Sequence, residues 1–283
     1  MPRRIDVHHH LWRYTAKGYD WIDGSMLRLK RDFTPADLSD VMASARIDGT
    51  VAVQARQELE ETRELVSLAE EHLFIEGVVG WAPIASKSFP GLLEGLAAYP
   101  KLKGLRHIIQ AEPDDFILRD DFNRGITQML STGLVYEILI YERQLAQTIM
   151  FVDAHPNQIF VLDHVAKPRI HEGILAPWQA RIQDLAQRNN VYCKVSGMAT
   201  EAAWDSWSEA DLRPYLDTVF DAFGPARLMM GSDWPVCLLA IEYAEWFSLL
   251  DSYIAEISED EREQFCGGTA IQVYRLGKTG AAG

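Results

Sequence analysis

Eight short apolar segments that favour strands alternate with segments of helical periodicity along most of this 283-residue chain. The helical segments carry one apolar stripe, as in Leu38, Val41 and Ala45, which predicts helices with one buried face. Two parallel strands need a long crossover connection, and a helix usually provides it. The predicted strands span residues 5–12, 50–54, 75–81, 102–109, 134–141, 159–164, 191–196 and 227–233.

This alternation predicts the fold class. Eight strands, each followed by a helix within about 250 residues, match a (β/α)8 TIM barrel, here with extra helices after the eighth strand. The main alternative is a doubly wound open sheet, which usually has a glycine-rich turn after its first strand. No such turn follows residues 5–12, and no linker or repeat interrupts the chain. We therefore predict a single α/β barrel domain over residues 1–283.

Composition and charge exclude several classes of partner. The net charge is −14, whereas nucleic-acid binding needs concentrated Lys and Arg. No apolar run approaches the roughly 18 residues of a membrane span, and no secretory leader is recognisable. The three cysteines lie far apart without a CxxC pair, which argues against a disulfide framework. We expect a reduced, cytoplasmic protein that binds a small molecule, and its oligomeric state is left undetermined.

The first strand carries three consecutive histidines, His8, His9 and His10. Side chains alternate along a strand, so His8 and His10 are expected on one side and His9 on the other. Two imidazoles in this arrangement suit half of a metal or oxyanion site. Chance burial and a purification-tag remnant are the alternatives. The run is short and joined to an apolar strand rather than to a Gly/Ser linker, so the functional interpretation is preferred.

Other chemically active residues also fall at predicted strand ends. In a (β/α)8 barrel, function lies at the C-terminal ends of the strands, where loops meet. Because neighbours on a strand alternate, only one of Arg106 and His107 is expected to point inward. The residues that this rule brings together are His8, His10, Arg106, His107, His164, Lys194 and Asp233.

Asp233 is the candidate acid at the end of the eighth strand. Pro235 follows closely and cannot extend a strand ladder, so the carboxylate is expected at the strand terminus. Beside imidazoles it can take a proton from water or bind a metal, although a helix N-cap is the alternative role. Asp163 precedes His164, and its carboxylate is expected either to orient that imidazole or to cap the next helix.

Three motifs resemble those of the amidohydrolase superfamily, and more narrowly those of the amidohydrolase-2 branch, which contains sugar-lactone hydrolases. They are Ile5-Asp6-x-His8-x-His10, Leu162-Asp163-His164-x-x-Lys167-Pro168 and Gly231-Ser232-Asp233-Trp234-Pro235. The aromatic loop over residues 12–23 is similar to that branch as well. The resemblance implies a distorted barrel that hydrolyses a lactone such as L-fuconolactone or L-rhamnonolactone. It also implies that His8, His10, His164 and Asp233 line a metal centre.

The chain departs from the binuclear members of the superfamily. Strand five offers Glu137 and Tyr141 but no histidine, and strand four has no lysine at its end to bridge two metals. One divalent ion, with zinc as the first choice, and no metal at all are both open. Similar lactonases for pyrone dicarboxylates work without a metal, so the histidine pair does not decide between these two.

The resemblance and the strand-end residues together suggest a mechanism. We expect His8, His10 and His164 to position water, directly or through Zn²⁺, and Asp233 to take its proton and return it to the leaving ring oxygen. The ring carbonyl needs a cationic or Lewis-acid partner, for which the metal, His107, Arg106 and Lys194 are candidates. Aromatic faces and polar tips near strand ends suit a polyol ring. The expected substrate contacts are Trp12, Tyr14, Trp21, Gln54, Gln57, Trp81, Arg106, Tyr141, Lys194 and Trp234.

Besides a lactonase of the pyrone-dicarboxylate type, two other functions are alternatives. A metal-dependent decarboxylase of an aromatic acid uses a similar barrel and needs an inward arginine, which Arg56 or Arg106 could supply. A barrel that binds a metal or a sugar without turnover is the non-enzymatic alternative. A proton release assay separates the lactonase from both, because decarboxylation releases CO₂ and a binding protein releases neither.

Overall fold

A computed structural model describes residues 2–277 of the chain. Its eight strands form one parallel sheet in sequence order. The sheet closes into a barrel just after the last strand, where the chain pairs with the first strand. Trp234 pairs with His9 there, and the His10 amide donates to the Trp234 carbonyl at 2.7 Å. The predicted (β/α)8 barrel is confirmed. The strands are β1 (Ile5–His9), β2 (Gly49–Val53), β3 (Ile75–Gly80), β4 (Leu102–His107), β5 (Val135–Ile138), β6 (Phe160–Leu162), β7 (Val191–Val195) and β8 (Leu228–Met230).

Helices cover the outside of the barrel and extend beyond its last strand. Their starts follow local sequence signals: Thr34 accepts from the Asp37 amide at one end of the chain, and Ser258 accepts from the Glu261 amide near the other. The helices are α1 (Pro35–Ala45), α2 (Leu59–Glu71), α3 (Phe89–Ala97), α4 (Asp120–Met129), α5 (Leu145–Ala154), α6 (Trp178–Leu185), α7 (Glu209–Phe223), α8 (Tyr243–Tyr253), α9 (Glu259–Glu263) and α10 (Thr269–Val273).

The barrel interior is filled from below by the C-terminal segment. Val51, Val79 and Val161 belong to a buried apolar cluster that also includes Val273 and Tyr274 at the end of α10. Side chains on the outer faces of the strands belong to a separate, larger cluster that they share with the surrounding helices. Because apolar packing fills the lower interior, polar groups converge only above it, towards the C-terminal strand ends.

A β-bulge interrupts the alternation of β1. Asp6 pairs with Thr50 and His9 with Ala52, so two residues of β1 oppose the single Val51 of β2. As a result, Val7 packs in the interior apolar cluster while the next side chain, that of His8, also faces the interior. His9 faces outward as predicted, where its ring bonds the Thr50 hydroxyl at 3.0 Å.

All eight strands end one to three residues earlier than the sequence predicts. β6 ends at Leu162 and β8 at Met230, because His164 and Asp233 have φ angles of 51° and 60°, in the left-handed region that strands do not use. Residues 1 and 278–283 of the predicted domain lie outside the described residues. Over residues 2–277, no helix has both the length and the apolar character needed to cross a bilayer.

Candidate active site

Four of the predicted residues meet above β1, β6 and β8, and we call them the histidine cluster: His8, His10, His164 and Asp233. The Asp233 Oδ1 atom lies 3.3 Å from His10 Nε2, 3.7 Å from His8 Nε2 and 3.9 Å from His164 Nε2. The His8 ring centroid is 5.0 Å from that of His10 and 4.3 Å from that of His164. All four side chains are buried. One carboxylate oxygen therefore faces three imidazoles at the strand ends.

An unusual backbone turn presents His164. Four consecutive residues, His164 to Lys167, have left-handed φ angles of 51°, 48°, 62° and 47°. Such angles are rare outside glycine, and they are least favourable for a β-branched residue such as Val165. The turn is held by the Trp178 indole, which donates to the Val165 carbonyl at 2.7 Å. At Gly197, a Cβ atom would lie 2.7 Å from His164 Nδ1, so a glycine there lets the imidazole approach. The chain accepts local strain in order to place this ring.

Protein partners orient the rings of the histidine cluster. His10 Nδ1 lies 2.8 Å from the Val53 carbonyl. A carbonyl only accepts, so Nδ1 carries a proton and donates it, which directs Nε2 towards Asp233. His164 Nδ1 is bonded to the Ser196 hydroxyl at 2.9 Å, which again directs Nε2 towards Asp233. Metal-binding histidines are commonly oriented by a partner on their second nitrogen in this way.

Asp6, a residue of the first motif, stabilises the histidine cluster through hydrogen bonds to its neighbours. Its buried carboxylate accepts from the His8 amide at 3.1 Å, the Ser232 amide at 2.8 Å, the Ser232 hydroxyl at 2.6 Å and the Tyr243 hydroxyl at 3.0 Å. Burial raises the pKa of Asp6 to about 6, against the lowering effect of these hydrogen bonds. The bonds tie β1 to the segment after β8, and so fix His8 relative to Asp233.

Directly beneath the histidine cluster lies a second group, which we call the charge layer: Arg106, Glu137, Asp163 and Lys194. Lys194 Nζ lies 2.6 Å from Glu137 Oε2 and 3.1 Å from Asp163 Oδ1. Arg106 Nη1 lies 2.9 Å from Asp163 Oδ2, and the guanidinium also donates to the Gln54 carbonyl. All four side chains are buried. Two cations and two carboxylates therefore compensate one another inside the barrel.

His8 joins the two groups. Its Nδ1 atom lies 3.1 Å from Lys194 Nζ and 3.5 Å from Asp163 Oδ1, while its Nε2 atom lies 3.3 Å from Arg106 Nη1. From the sequence, Asp163 is expected to orient His164 or to cap a helix. The structure corrects this, because the left-handed turn directs His164 towards Ser196 and leaves Asp163 facing His8.

Burial keeps the His8 and His164 imidazoles neutral. It lowers the pKa of His164 to about 4 and that of His8 well below 6.5, although Asp163 and Asp233 act in the opposite direction. For Asp233, burial alone would raise the pKa, but His164, His10 and His8 outweigh it and hold the pKa below its usual range. At neutral pH the cluster therefore combines one carboxylate with unprotonated nitrogen atoms.

This donor set fits a divalent metal ion. His8, His10 and Asp233 each place one ligand atom within 4.8 Å of the others, and so do His8, Asp163 and His164. Imidazole nitrogen and carboxylate oxygen are ligands that zinc prefers. The structure therefore supports the prediction that these residues could bind a metal ion.

Three other predicted residues are engaged with protein groups. Arg106 and Lys194 lie in the charge layer, below the histidine cluster rather than at its open end. His107 lies at the end of β4, where its Nε2 is 2.9 Å from Glu112 Oε1 and its Nδ1 accepts from the Trp81 indole at 3.3 Å. Since only one of the two neighbours can point inward, Arg106 is the inward residue. A catalytic role for His107 stays a prediction.

The predicted substrate contacts divide by burial. Trp12, Gln54 and Trp234 are buried, and Trp12 stacks near His10 with centroids 6.4 Å apart while Trp234 packs against Phe33. Gln57 accepts from the Ile108 amide at 2.9 Å. Tyr14, Gln57 and Trp81 are half-buried, and Trp21 and Tyr141 are exposed by 39% and 37%, so these five lie nearer to solvent. Contact with a substrate stays a prediction for all of them.

Several residues of the site were not predicted. Ser196 follows β7 and Tyr274 follows α10, where the Tyr274 hydroxyl donates to Glu137 Oε1 at 2.5 Å. Asp6 had a signal, since it shares a motif with the histidines. Nothing in the local sequence marks Ser196 or Tyr274, because their roles depend on how distant segments pack.

Comparison with known proteins agrees with this geometry. A family model described as amidohydrolase matches residues 5–276. The chain belongs to this amidohydrolase family. An L-fucono-1,5-lactonase of Burkholderia multivorans is 42% identical, with 96% of each chain covered. An L-fucono-1,5-lactonase of Burkholderia ambifaria is 34% identical, covering 98% of this chain and 97% of the relative. The family predicted from the three motifs is confirmed.

Solved structures agree as well. A crystal structure of an amidohydrolase from Burkholderia multivorans with bound zinc has a TM-score of 0.92 and 41% identity, covering 97% of this chain and 99% of that one. Structures named as pyrone-dicarboxylic acid hydrolases or as a carboxyvanillate decarboxylase are only 15–20% identical, and they share the fold alone.

Proposed function

We propose that the protein hydrolyses a small sugar lactone of the L-fuconolactone type to the corresponding aldonic acid. The observation that carries the proposal is the Asp233 carboxylate, which faces the imidazoles of His8, His10 and His164 at the strand ends. An ester carbonyl requires only an activated water and a proton carrier, and this constellation offers both. The two relatives named L-fucono-1,5-lactonase, similar over nearly the whole chain, support the choice of substrate class.

In the proposed mechanism, Asp233 carries the proton in both directions. Its low pKa keeps it ionised, so it accepts a proton from water as the water oxygen attacks the lactone carbonyl. The carbonyl π pair moves onto its oxygen. When this pair returns, the bond to the ring oxygen breaks, and Asp233 gives its proton to the leaving oxygen. His10 and His164 present fixed nitrogen atoms beside Asp233 that hold the water in place.

We propose one divalent ion at this site, with zinc as the first choice. His8, His10 and Asp233 would hold it, and His164 lies beside them. When bound, such an ion acts as a Lewis acid and lowers the pKa of water. We further propose a small-molecule lactone as the partner, with no nucleic acid or membrane, and a cytoplasmic location.

An acid-release assay tests the proposal. Purified protein is mixed with a pH indicator and L-fucono-1,5-lactone, with L-rhamnonolactones and D-configured aldonolactones in parallel, and spontaneous hydrolysis is subtracted. We expect rapid acid release on at least one L-sugar lactone, loss of activity with chelator, and recovery with added zinc. Acid release that is unaffected by complete metal removal would overturn the metal proposal alone. No acid release from any lactone, together with CO₂ release from an aromatic acid, would overturn the proposed lactonase activity and support a decarboxylase.

A further inference from the structure

Lactone hydrolysis needs a positive charge outside the water-activating group. The carbonyl oxygen gains negative charge during attack, and the product carries a carboxylate that the lactone lacks. Arg106 and Lys194 were the expected cations, but both are buried in the charge layer, where Asp163 and Glu137 take their hydrogen bonds. Neither is available to a ligand that enters from the strand ends.

A third cation, Lys167, is available on the entrance side. It closes the left-handed turn that begins at His164, and its amide donates to the His164 carbonyl at 2.8 Å. Its side chain is 18% exposed, and Nζ lies 5.8 Å from the ring centroid of the exposed Tyr141. The turn fixes the lysine backbone to the same four residues that place the His164 imidazole.

The charge of Lys167 acts on the histidine cluster. Burial alone would lower its pKa, but the carboxylates of Glu201 and Asp233 outweigh burial and raise the pKa above its usual value. In return, Lys167 contributes to the lowered pKa of His164. The ammonium group is thus charged at neutral pH, and within residues 2–277 its one ion-pair contact is a Glu201 oxygen at 3.4 Å. A contact of that length, at a partly exposed position, is readily exchanged for a ligand.

We propose that the Lys167 ammonium binds the carbonyl oxygen of the lactone and then the carboxylate of the aldonate product. This inference rests on the proposed function and adds a residue to it. As water attacks, the carbonyl π pair moves to the oxygen that faces Lys167. As the ring C–O bond breaks, that pair reforms the C=O bond, the ring oxygen takes the proton from Asp233, and the acid loses a proton to solvent. Lys167 exchanges Glu201 for the ligand oxygen and transfers no proton.

The test compares Lys167→Met with Arg169→Met. Arg169 is a matched control, because it is a cation two residues away whose side chain bonds Glu142 and Glu172 on the surface. We expect Lys167→Met to lower kcat/KM for L-fucono-1,5-lactone by about 10²–10³, and to weaken inhibition by L-fuconate at least tenfold. Lys167→Arg restores part of both. Arg169→Met should leave both within about twofold of the wild type.

Loss of product inhibition separates ligand binding from a structural role. If Lys167 only stabilises the turn, Lys167→Met lowers the melting temperature and the kcat together, and the affinity for L-fuconate measured by calorimetry stays unchanged. That result, or a kcat/KM within twofold of the wild type, overturns the proposal. An inactive wild type that binds L-fuconate through Lys167 would overturn the proposed function while supporting the carboxylate site. An inactive wild type without L-fuconate binding would overturn both.

Discussion

The histidine cluster and the charge layer are equally buried, adjacent, and joined by His8, yet they differ in where their polar atoms point. In the charge layer, Lys194 contacts two carboxylates and Arg106 contacts one of them as well as a backbone carbonyl. In the histidine cluster, one carboxylate faces three imidazole rings at 3.3–3.9 Å, which is longer than an ordinary hydrogen bond. The cations of the charge layer are paired with protein carboxylates, and the cluster is arranged for a ligand.

The difference follows from the energetics of burial. An isolated charge inside a protein is costly, so the two cations and two carboxylates of the charge layer stabilise the barrel only as a complete set. The cluster instead holds one buried anion, Asp233, beside the His8 and His164 imidazoles, which burial keeps neutral. We therefore expect substitutions in the cluster to change activity, and substitutions in the charge layer to change stability.

The largest expected effect is on catalysis, from Asp233→Asn. Removal of the proton carrier should lower kcat by about 10²–10⁴, which corresponds to about 3–5 kcal/mol in the barrier. The free energy of unfolding should change by less than about 1 kcal/mol, because within residues 2–277 no Lys or Arg forms an ion pair with Asp233. Turnover is measured by acid release, and unfolding by urea titration. Asp163→Asn is the matched substitution in the charge layer, and it should lose stability. Equal stability losses in the two variants would erase the contrast.

The next effect is on stability, from Lys194→Met. This change leaves Glu137 and Asp163 without their shared cation, and breaking a buried pair costs about 3–5 kcal/mol. We expect the loss in urea unfolding. The double variant Lys194→Met with Glu137→Gln should recover part of it, because one uncompensated carboxylate is gone. A loss below about 1 kcal/mol would mean that the layer is not held together by compensation of charge.

The smallest effect concerns pH and sharpens the claim that the imidazoles are neutral. With a folded pKa of about 4, His164 binds fewer protons than it does in the unfolded chain, where its pKa is 6.5. Stability should therefore fall as the pH drops from 6.5 to about 4, by about 1.4 kcal/mol per pH unit for this group. His164→Asn should remove that part of the slope, measured by urea unfolding with chelator present. A slope unchanged by the substitution would show that His164 titrates normally.

Much of the fold and the four residues of the histidine cluster can be predicted from the sequence. Apolar strands separated by capped helices specify the barrel, and the strand-end rule then selects His8, His10, His164 and Asp233. The sequence predicts that His164 and Asp233 are the last residues of strands, whereas both lie in left-handed turns beyond β6 and β8. No local pattern marks those turns, since their φ angles are imposed by distant partners such as Trp178.

The charge layer was harder to predict for a related reason. Whether a strand residue reaches the entrance or a lower level of the barrel depends on the register between strands, and on the bulge in β1. The sequence alone predicts that Arg106 and Lys194 contact the substrate. Only the packed barrel shows that Asp163 and Glu137 already occupy them. Lys167 belongs to the second of the three motifs, but the sequence predicts no role for it. Its neighbour Tyr141 comes from another strand end, so their proximity is visible only in the folded chain.

The C-terminal segment has a consequence for synthesis of the chain on the ribosome. Tyr274 donates to Glu137 in the charge layer, and Gly267 packs against the backbone of Arg3, beside the first strand. The barrel floor is therefore built from the segment translated after all eight strands. Until that segment emerges, the interior valines stay open to water and Glu137 lacks its tyrosine partner. Pairing of such distant parts slows folding, so we expect the partly synthesised barrel to be prone to aggregation until the α10 segment has been translated.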